Sequence, residues 1–278
     1  VIVRSPSITT YDCNKVVEAT YETLNQFPNR ELIGEDVISC GSIDKIFLSS
    51  HRILSTGTHI GEGIYGKPTG KKVIYRVIAD CLVKNNEVIE EWIIRDEKSI
   101  LNQLGIQIHD YVKQKIVEGV YKKNDINLIK NCFKIKNKIS PCKSKNADKY
   151  KNYFLKIIKD QTKVYHVYER SAQLYWIGGE VVYTFDQIFE KWKLFLSCFN
   201  IFKCEISNSI LLNQTNMRPR ASLRWRLICK HSQNGIFGIP TNKDVEIFGI
   251  SHAEFGKNGI IREFILIDEI SIWKQILL

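Results

Sequence analysis

The sequence predicts an α+β protein built from two tandem domains, and three observations lead there. The stretch Gly235–Gln275 occurs twice, aligning without a gap on Gly63–Gln103. Extended back to Ser50 and Ser222, about 20 of roughly 55 positions are identical, far above the few expected by chance. Within each copy, runs rich in Ile, Val and aromatic residues are separated by Asn, Gly and Pro turns, the pattern of β-hairpins. Each copy closes on apolar residues spaced three and four apart, which reads as a short helix. The period is too long for a solenoid, so each copy is a domain with its own core.

In chain order, Asn14–Gln26 reads as a helix with Val16, Val17, Tyr21 and Leu24 on one face. Pro28 disfavours its continuation. Glu31–Ile38 and Lys45–Leu48 begin the hairpins, and Ser49–Ser55 is the first strand of the repeat. Lys67-Pro68-Thr69-Gly70 is a turn, with Pro presetting φ and Gly tolerating a positive one. Val73–Val83 and Val88–Ile94 are strands reversed at Asn85-Asn86, and Asp96–Leu104 is the closing helix. His109–Lys123 reads as helix, and Ile126–Lys145 as a weakly patterned connector. In the second half, Ala147–Lys159 and Phe185–Phe199 have helical spacing, and Tyr165–Trp176 and Asn200–Leu212 read as strands. Ala221–Cys229, Val245–Phe255, Ile260–Ile267 and the helix Asp268–Leu277 repeat the first copy. The boundaries expected are a first domain at 1–108, a lysine-rich connector at 109–145 and a second domain at 146–278.

The 278 residues suffice for two ordinary domains, and no apolar run approaches a membrane span. The start, Val1-Ile2-Val3-Arg4-Ser5-Pro6, lacks the three-part signal-peptide pattern, and its missing Met suggests a truncated or processed N-terminus. The eight cysteines are scattered, with no C-x-x-C pair and no Cys/His cluster, so no metal site is expected and a reducing cytoplasm fits best. No phosphate loop or dinucleotide fingerprint is present, so no cofactor is expected. The net charge is +10. The segment from His109 to Lys163, with about 15 Lys and about five acids, accounts for it. That segment lacks Arg and is poor in interleaved aromatics, so nucleic acid is disfavoured as a partner.

The residues Gly57-Thr58-His59, Gly66-Lys67-Pro68-Thr69-Gly70, Ile78-Ala79-Asp80 and Glu90-Glu91-Trp92 carry a resemblance. So do Leu223-Arg224-Trp225-Arg226, Gly238-Ile239-Pro240-Thr241, Gly249-Ile250-Ser251-His252 and Asp268-Glu269 in the second copy. The chain resembles a tandem of SnoaL-like polyketide cyclases, within the nuclear-transport-factor-2-like superfamily. The resemblance implies two cone-shaped domains, each a curved mixed sheet wrapped over helices with a pocket in the concavity. It implies that the first domain lacks its opening helix, and that the two pack sheet to sheet as an internal pseudo-dimer, open to homo-oligomerisation. It also implies an acid/base Asp on the long central strand, a position that Asp80 matches and His252 occupies in the second copy. Such a fold hosts both enzymes and binding proteins.

A His of near-neutral pKa could shuttle the same proton. Arg224 and Arg52 share a repeat position, and a guanidinium in an apolar pocket is a ready clamp for an oxyanion or carboxylate. The alternative for each is a salt bridge to Glu263 or Glu91. Trp225, Tyr168, Trp176 and Glu263 are candidates to line the second pocket, and His59 and His231 to rim the two pockets or to fix turns. Asp96 and Asp268 are natural helix caps. The leading expectation is a cofactor-independent cyclase or isomerase, taking a proton next to a carbonyl of a small apolar molecule, with the complete second domain as the better site. The alternatives are a non-catalytic binding or scaffold protein, and a basic nucleic-acid or membrane-surface binder.

Overall fold

Asp12 accepts a hydrogen bond from the Asn14 amide and so caps the first helix, α1 (Cys13–Gln26). The chain then reverses into three long strands, β3 (Glu31–Ser42), β4 (Ile46–Thr58) and β5 (Lys72–Lys84), followed by β6 (Glu87–Arg95) and helix α2 (Glu97–Leu104). Two short strands precede them, β1 (Ile2–Arg4) and β2 (Thr9–Thr10). This is the arrangement in a computed structural model, which describes residues 1–5, 9–42, 44–132 and 148–278. Asn85 and Asn86 both adopt positive φ, 53° and 61°, at the reversal between β5 and β6. Asn tolerates that region, and two such residues make the tight hairpin turn.

Helices α3 (Ile108–Val117) and α4 (Lys123–Cys132) come next. The second half runs α5 (Asp148–Lys159), α6 (Val164–Val167), β7 (Tyr168–Trp176), β8 (Glu180–Tyr183) and α7 (Thr184–Leu196). It ends β9 (Phe199–Leu212), β10 (Arg220–His231), β11 (Asp244–Phe255), β12 (Ile260–Ile267) and α8 (Glu269–Leu277). Two expectations change. The helix expected over His109–Lys123 ends at Val117, where Gly119 at φ 73° turns the chain, and the expected connector from Ile126 is helical as far as Cys132, within α4. Tyr165–Val167 is helical rather than extended, and the strand starts at Tyr168. Residues 133–145 of the expected connector lie outside the described residues.

The strand orders are β2-β1-β6-β5-β4-β3 and β8-β7-β12-β11-β10-β9, the same permutation twice. In each sheet one pair is parallel, β1 with β6 and β7 with β12, and the rest are antiparallel. The two α+β units with mixed sheets backed by helices are therefore present as expected.

The repeat holds to the level of single hydrogen bonds. Gln103 clamps the main chain of Ile74, donating at 2.8 Å and accepting at 2.9 Å. Gln275 does the same to Glu246 at 2.9 and 2.8 Å. Each clamp fixes a closing helix against the central strand. Asp96 accepts from the Ser99 amide and Asp268 from the Ser271 amide, both at 3.0 Å, as the capping expectation requires.

Each sheet has two apolar faces. One packs on its own helices. The other packs on the opposite sheet, where Ile78, Leu82 and Trp92 of the first half meet Phe248, Ile250 and Leu266 of the second.

Candidate functional site

Asp80 and His252 lie in the seam between the two sheets. Strand alternation puts Asp80 on the face of Ile78 and Leu82, and His252 on the face of Phe248 and Ile250. Those are the faces that the two domains press together. The concave faces are formed by the other residues of each strand, so the expected pocket position of Asp80 and His252 is corrected. Ser50 links them: its hydroxyl donates to Asp80 Oδ1 at 2.5 Å and meets His252 Nε2 at 2.7 Å. One hydroxyl has one proton, so Nε2 carries the ring proton and donates to Ser50. Nδ1 is then free to accept from Arg52 Nη1 at 3.3 Å. Burial, with the Arg52 charge adding to it, holds His252 well below its ordinary value, so it is neutral. Asp80 is fully buried and His252 only 1% exposed, out of reach of a substrate.

The two arginines share this seam rather than a pocket. Arg224 pairs with Asp80 across the domains at 3.2 Å, and its guanidinium lies 3.6 Å from the centre of the Trp92 ring. Arg52 lies 3.6 Å over the Phe264 ring and pairs with Glu35 at 3.0 Å. Neither meets Glu91 or Glu263, the partners weighed from sequence, because those carboxylates are on the opposite faces.

His59 and His231 are turn staples. Nδ1 of each meets a threonine hydroxyl of the following Pro-Thr turn, Thr69 at 3.2 Å and Thr241 at 3.3 Å. Each is fully buried, which corrects their expected place at a pocket rim.

Trp225, Tyr168, Trp176 and Glu263 do meet on the concave face of the second domain. They fill it instead of lining a pocket. Phe154 of α5 sits 4.9 Å from the Trp225 ring and 5.9 Å from Trp192, and Trp176 is 5.0 Å from Trp192. Gly249 is required here, since a Cβ would stand 2.0 Å from the Trp225 ring. Glu263 accepts hydrogen bonds from Tyr150 at 2.6 Å and from Tyr168. Burial still pushes its carboxyl up to about 7, against the two tyrosine bonds. The second domain, expected to be the better site, is closed.

The open concavity is in the first domain; the second carries a shallow surface depression of about 640 Å³ between the ends of α5 and α7 and the start of β9. A cavity of about 830 Å³ is walled by α1, the loop Glu62–Tyr65, the β6–α2 junction, the α3–α4 hairpin and α8. A neighbouring one of about 360 Å³ shares Thr23, Arg95 and Glu97 with it. The repeat explains the difference. Where the second domain has Trp192 and Phe195 on α7, the first has Thr20 and Thr23 on α1; where it has Trp225, the first has Ile53. Thr23 lines both cavities and Thr20 the smaller one, so small side chains on α1 leave that volume unfilled, whereas Ile53 lies under a separate depression.

The cavity carries the cations Arg95 and Lys274 and the acids Glu22, Glu62, Glu97 and Asp125, none of them singled out by the sequence. Glu97 accepts from the Tyr65 hydroxyl and pairs with Arg95 at 3.4 Å. Their side chains keep 24% and 30% exposure, for Glu97 and Arg95 in turn, at the shared wall. Arg95 Nε is buried without a partner among the described residues. Burial raises the Glu97 carboxyl above its usual range, with Arg95 and Tyr65 opposing. In sequence, Glu97 is one more acid in a helix's first turn and Arg95 one more strand residue, so no signal marked them. A shallow depression of the first domain, of about 420 Å³, lies over His51, Ile53, Val83 and Glu91, the face that α5 covers in the second domain.

Among the described residues, no group of three or more His, Cys, Asp or Glu is placed to hold a metal ion, and no helix is long and apolar enough to cross a membrane. Five cysteines are free and Cys40 is disulfide-bonded, a departure from a fully reduced set.

The site and fold define a tandem α+β protein with one filled and one open concavity. No family model and no curated protein matches the chain. Among solved structures, a SnoaL-like polyketide cyclase from Agrobacterium tumefaciens is 15% identical over 48% of this chain and 98% of its own, with a TM-score of 0.36. TsrD from Streptomyces laurentii is 11% identical over 49% and 98%, with a TM-score of 0.39. AclR from Streptomyces galilaeus, assigned as a hydroxylase, is 23% identical over 38% and 74%, with a TM-score of 0.33. The first two match about half of this chain, the share that one unit of the tandem occupies.

Proposed function

We propose that this protein binds a small apolar or carbonyl-containing molecule in the first-domain cavity, and that the second domain is its scaffold. The observation that carries this reading is Thr23 at the position of Phe195, which lines an open cavity of about 830 Å³ beside Arg95 and Glu97, with Thr20 at the position of Trp192 lining the neighbouring one. Tyrosines 65, 111 and 121 with Ile64, Val120, Leu128 and Ile270 give that cavity apolar walls, and the charged groups among them suit a ligand with an apolar body and a polar carbonyl group.

The same groups suit proton transfer next to a carbonyl, the cyclase or isomerase chemistry. Glu97 would exchange the proton, because burial moves its carboxyl toward neutrality. The unpartnered Arg95 Nε would stabilise a developing enolate. A purely non-catalytic binder is the second reading, favoured by the seam, where Asp80 and His252 serve packing.

Native mass spectrometry of the protein from cell extract tests the site. Wild type should retain a small molecule, and Thr23→Phe, which copies the second domain, should lose it while staying folded. Equal retention by both would remove the ligand from this cavity.

A further inference from the structure

We infer that Lys274 is a carbonyl-trapping amine, through which the first-domain cavity binds an aldehyde or ketone as a reversible imine. This rests on the reading of that cavity as a binding site, and it names the chemistry of the ligand.

Lys274 belongs to α8 of the second domain, yet it lines the first domain's cavity. Helix α8 packs on α2, α3 and α4, so the site is completed by the sister domain. The residue is only 2% exposed. Its repeat counterpart is Asn102, which is exposed on α2. The amine is therefore not a leftover of the duplicated scaffold.

An ammonium carries three donors and accepts nothing. Nζ of Lys274 lies 3.6 Å from the centre of the Tyr121 ring and 3.9 Å from Asp125 Oδ2. Among the described residues it makes no hydrogen bond. A buried ammonium held so loosely is costly, and the cost falls when the nitrogen is neutral or bonded to a ligand. Burial lowers its affinity for the proton, with Asp268, Asp125 and Glu97 opposing. A desolvated lysine amine in a pocket is a nucleophile toward carbonyl carbon.

The step balances without an oxidant or reductant. The nitrogen lone pair forms the C–N bond while the carbonyl oxygen takes a proton from a carboxyl of the cavity, Glu97 being held toward its acid form. The nitrogen then returns a proton to that carboxylate, the carboxyl passes it to the new hydroxyl, and the C–O bond breaks so that water leaves as the protonated C=N forms. Hydrolysis reverses it.

Benzaldehyde is the probe, chosen for the walls of Tyr65, Tyr111 and Tyr121. The full chain is incubated with it and sodium cyanoborohydride, which reduces the imine to a stable secondary amine, and labelled lysines are mapped by peptide mass. Exposure alone would favour Lys203, whose side chain is 64% exposed. The inference expects Lys274 to label at least about tenfold faster than Lys203. Native mass spectra of wild type read binding, and Lys274→Arg should lose the fast label while Lys203 still labels at its wild-type rate. Binding without fast labelling of Lys274 would overturn the imine and leave the cavity reading standing. Neither binding nor labelling would overturn both.

Discussion

Arg224 and Asp80 form an ion pair at 3.2 Å with side chains 3% and 0% exposed, and they belong to different domains. The pair has a near-mirror on the other side of the seam, where Arg52 meets His252 at 3.3 Å. Arg224 stacks on Trp92 and Arg52 on Phe264, residues that are themselves repeat partners. The seam is thus a pseudo-twofold interface in which each arginine reaches across to the partner domain's central strand. Duplication followed by Asp-to-His divergence, in either direction, made one arm ionic and the other neutral.

That asymmetry predicts unequal costs. Arg224→Met leaves a carboxylate buried with Ser50 and Asn208 but no cation, and should cost about 3–5 kcal/mol. Replacing both partners, Arg224→Met with Asp80→Leu, removes the desolvation cost together with the attraction. The double variant should recover most of the loss. Denaturant midpoints of the two singles and the double measure this, and an additive double variant would contradict the pairing.

His252→Ala should act on stability, with little effect on any ligand of the first-domain cavity. The change removes hydrogen bonds to Ser50 and Arg52 at 2.7 and 3.3 Å in a sealed site. Ser50 keeps Asp80 and Arg52 keeps Glu35, so the loss of the two bonds should cost about 1–3 kcal/mol. Thermal unfolding and ligand retention measured side by side separate the two effects. Lost retention at unchanged stability would return His252 to a functional role.

Much of the architecture was legible because the repeat is so regular. The paired turns, the Asp caps and the order of strands follow from residues conserved between the two copies of this one chain. The functional face was not legible, and β11 shows why. Ile247, Gly249, Ser251 and Ala253 face the helices, while Phe248, Ile250 and His252 face the other sheet. All seven are buried. Alternation reveals a strand's buried side only when the other side is wet. Here Asp80 and His252 were assigned together to a common face, correctly, but nothing in the strand says which layer covers it. The open space depends on side-chain volumes at Thr23 and, in the neighbouring cavity, Thr20, which read as ordinary helix residues until set against Phe195 and Trp192.

The reverse substitution should open the second domain. Trp192 is fully buried against Phe154 and Trp176, and its indole donates to Tyr168 at 3.4 Å. Trp192→Ala should cost about 3–5 kcal/mol and leave a cavity. Benzene or xenon, which enter dry apolar cavities, should then raise the melting temperature of the variant by more than that of wild type. No such rescue would mean that the aromatic cluster collapses into the space.

Glu263 supplies a pH signature for that same cluster. Its folded-state carboxyl is raised to about 7 from an ordinary value of 4.5, so the folded protein holds its proton longer than the unfolded chain. Below the unfolded value both states are protonated, and the two tyrosine bonds contribute fully. As pH rises, the unfolded carboxyl ionises first and the folded state loses ground until about 7, above which the loss is complete. The difference amounts to roughly 3 kcal/mol. Asp96, raised to about 6 by burial, acts in the same direction, whereas Glu35, lowered by Arg76 and Arg52 against its burial, acts in the opposite one. Comparing wild type with Glu263→Gln cancels both. The variant cannot ionise at this position, so its stability curve should be flatter between pH 4.5 and pH 7 and should gain on wild type as pH rises. Urea unfolding across that range measures the difference. Parallel curves would show that Glu263 ionises at its ordinary value and that the tyrosine bonds outweigh its burial.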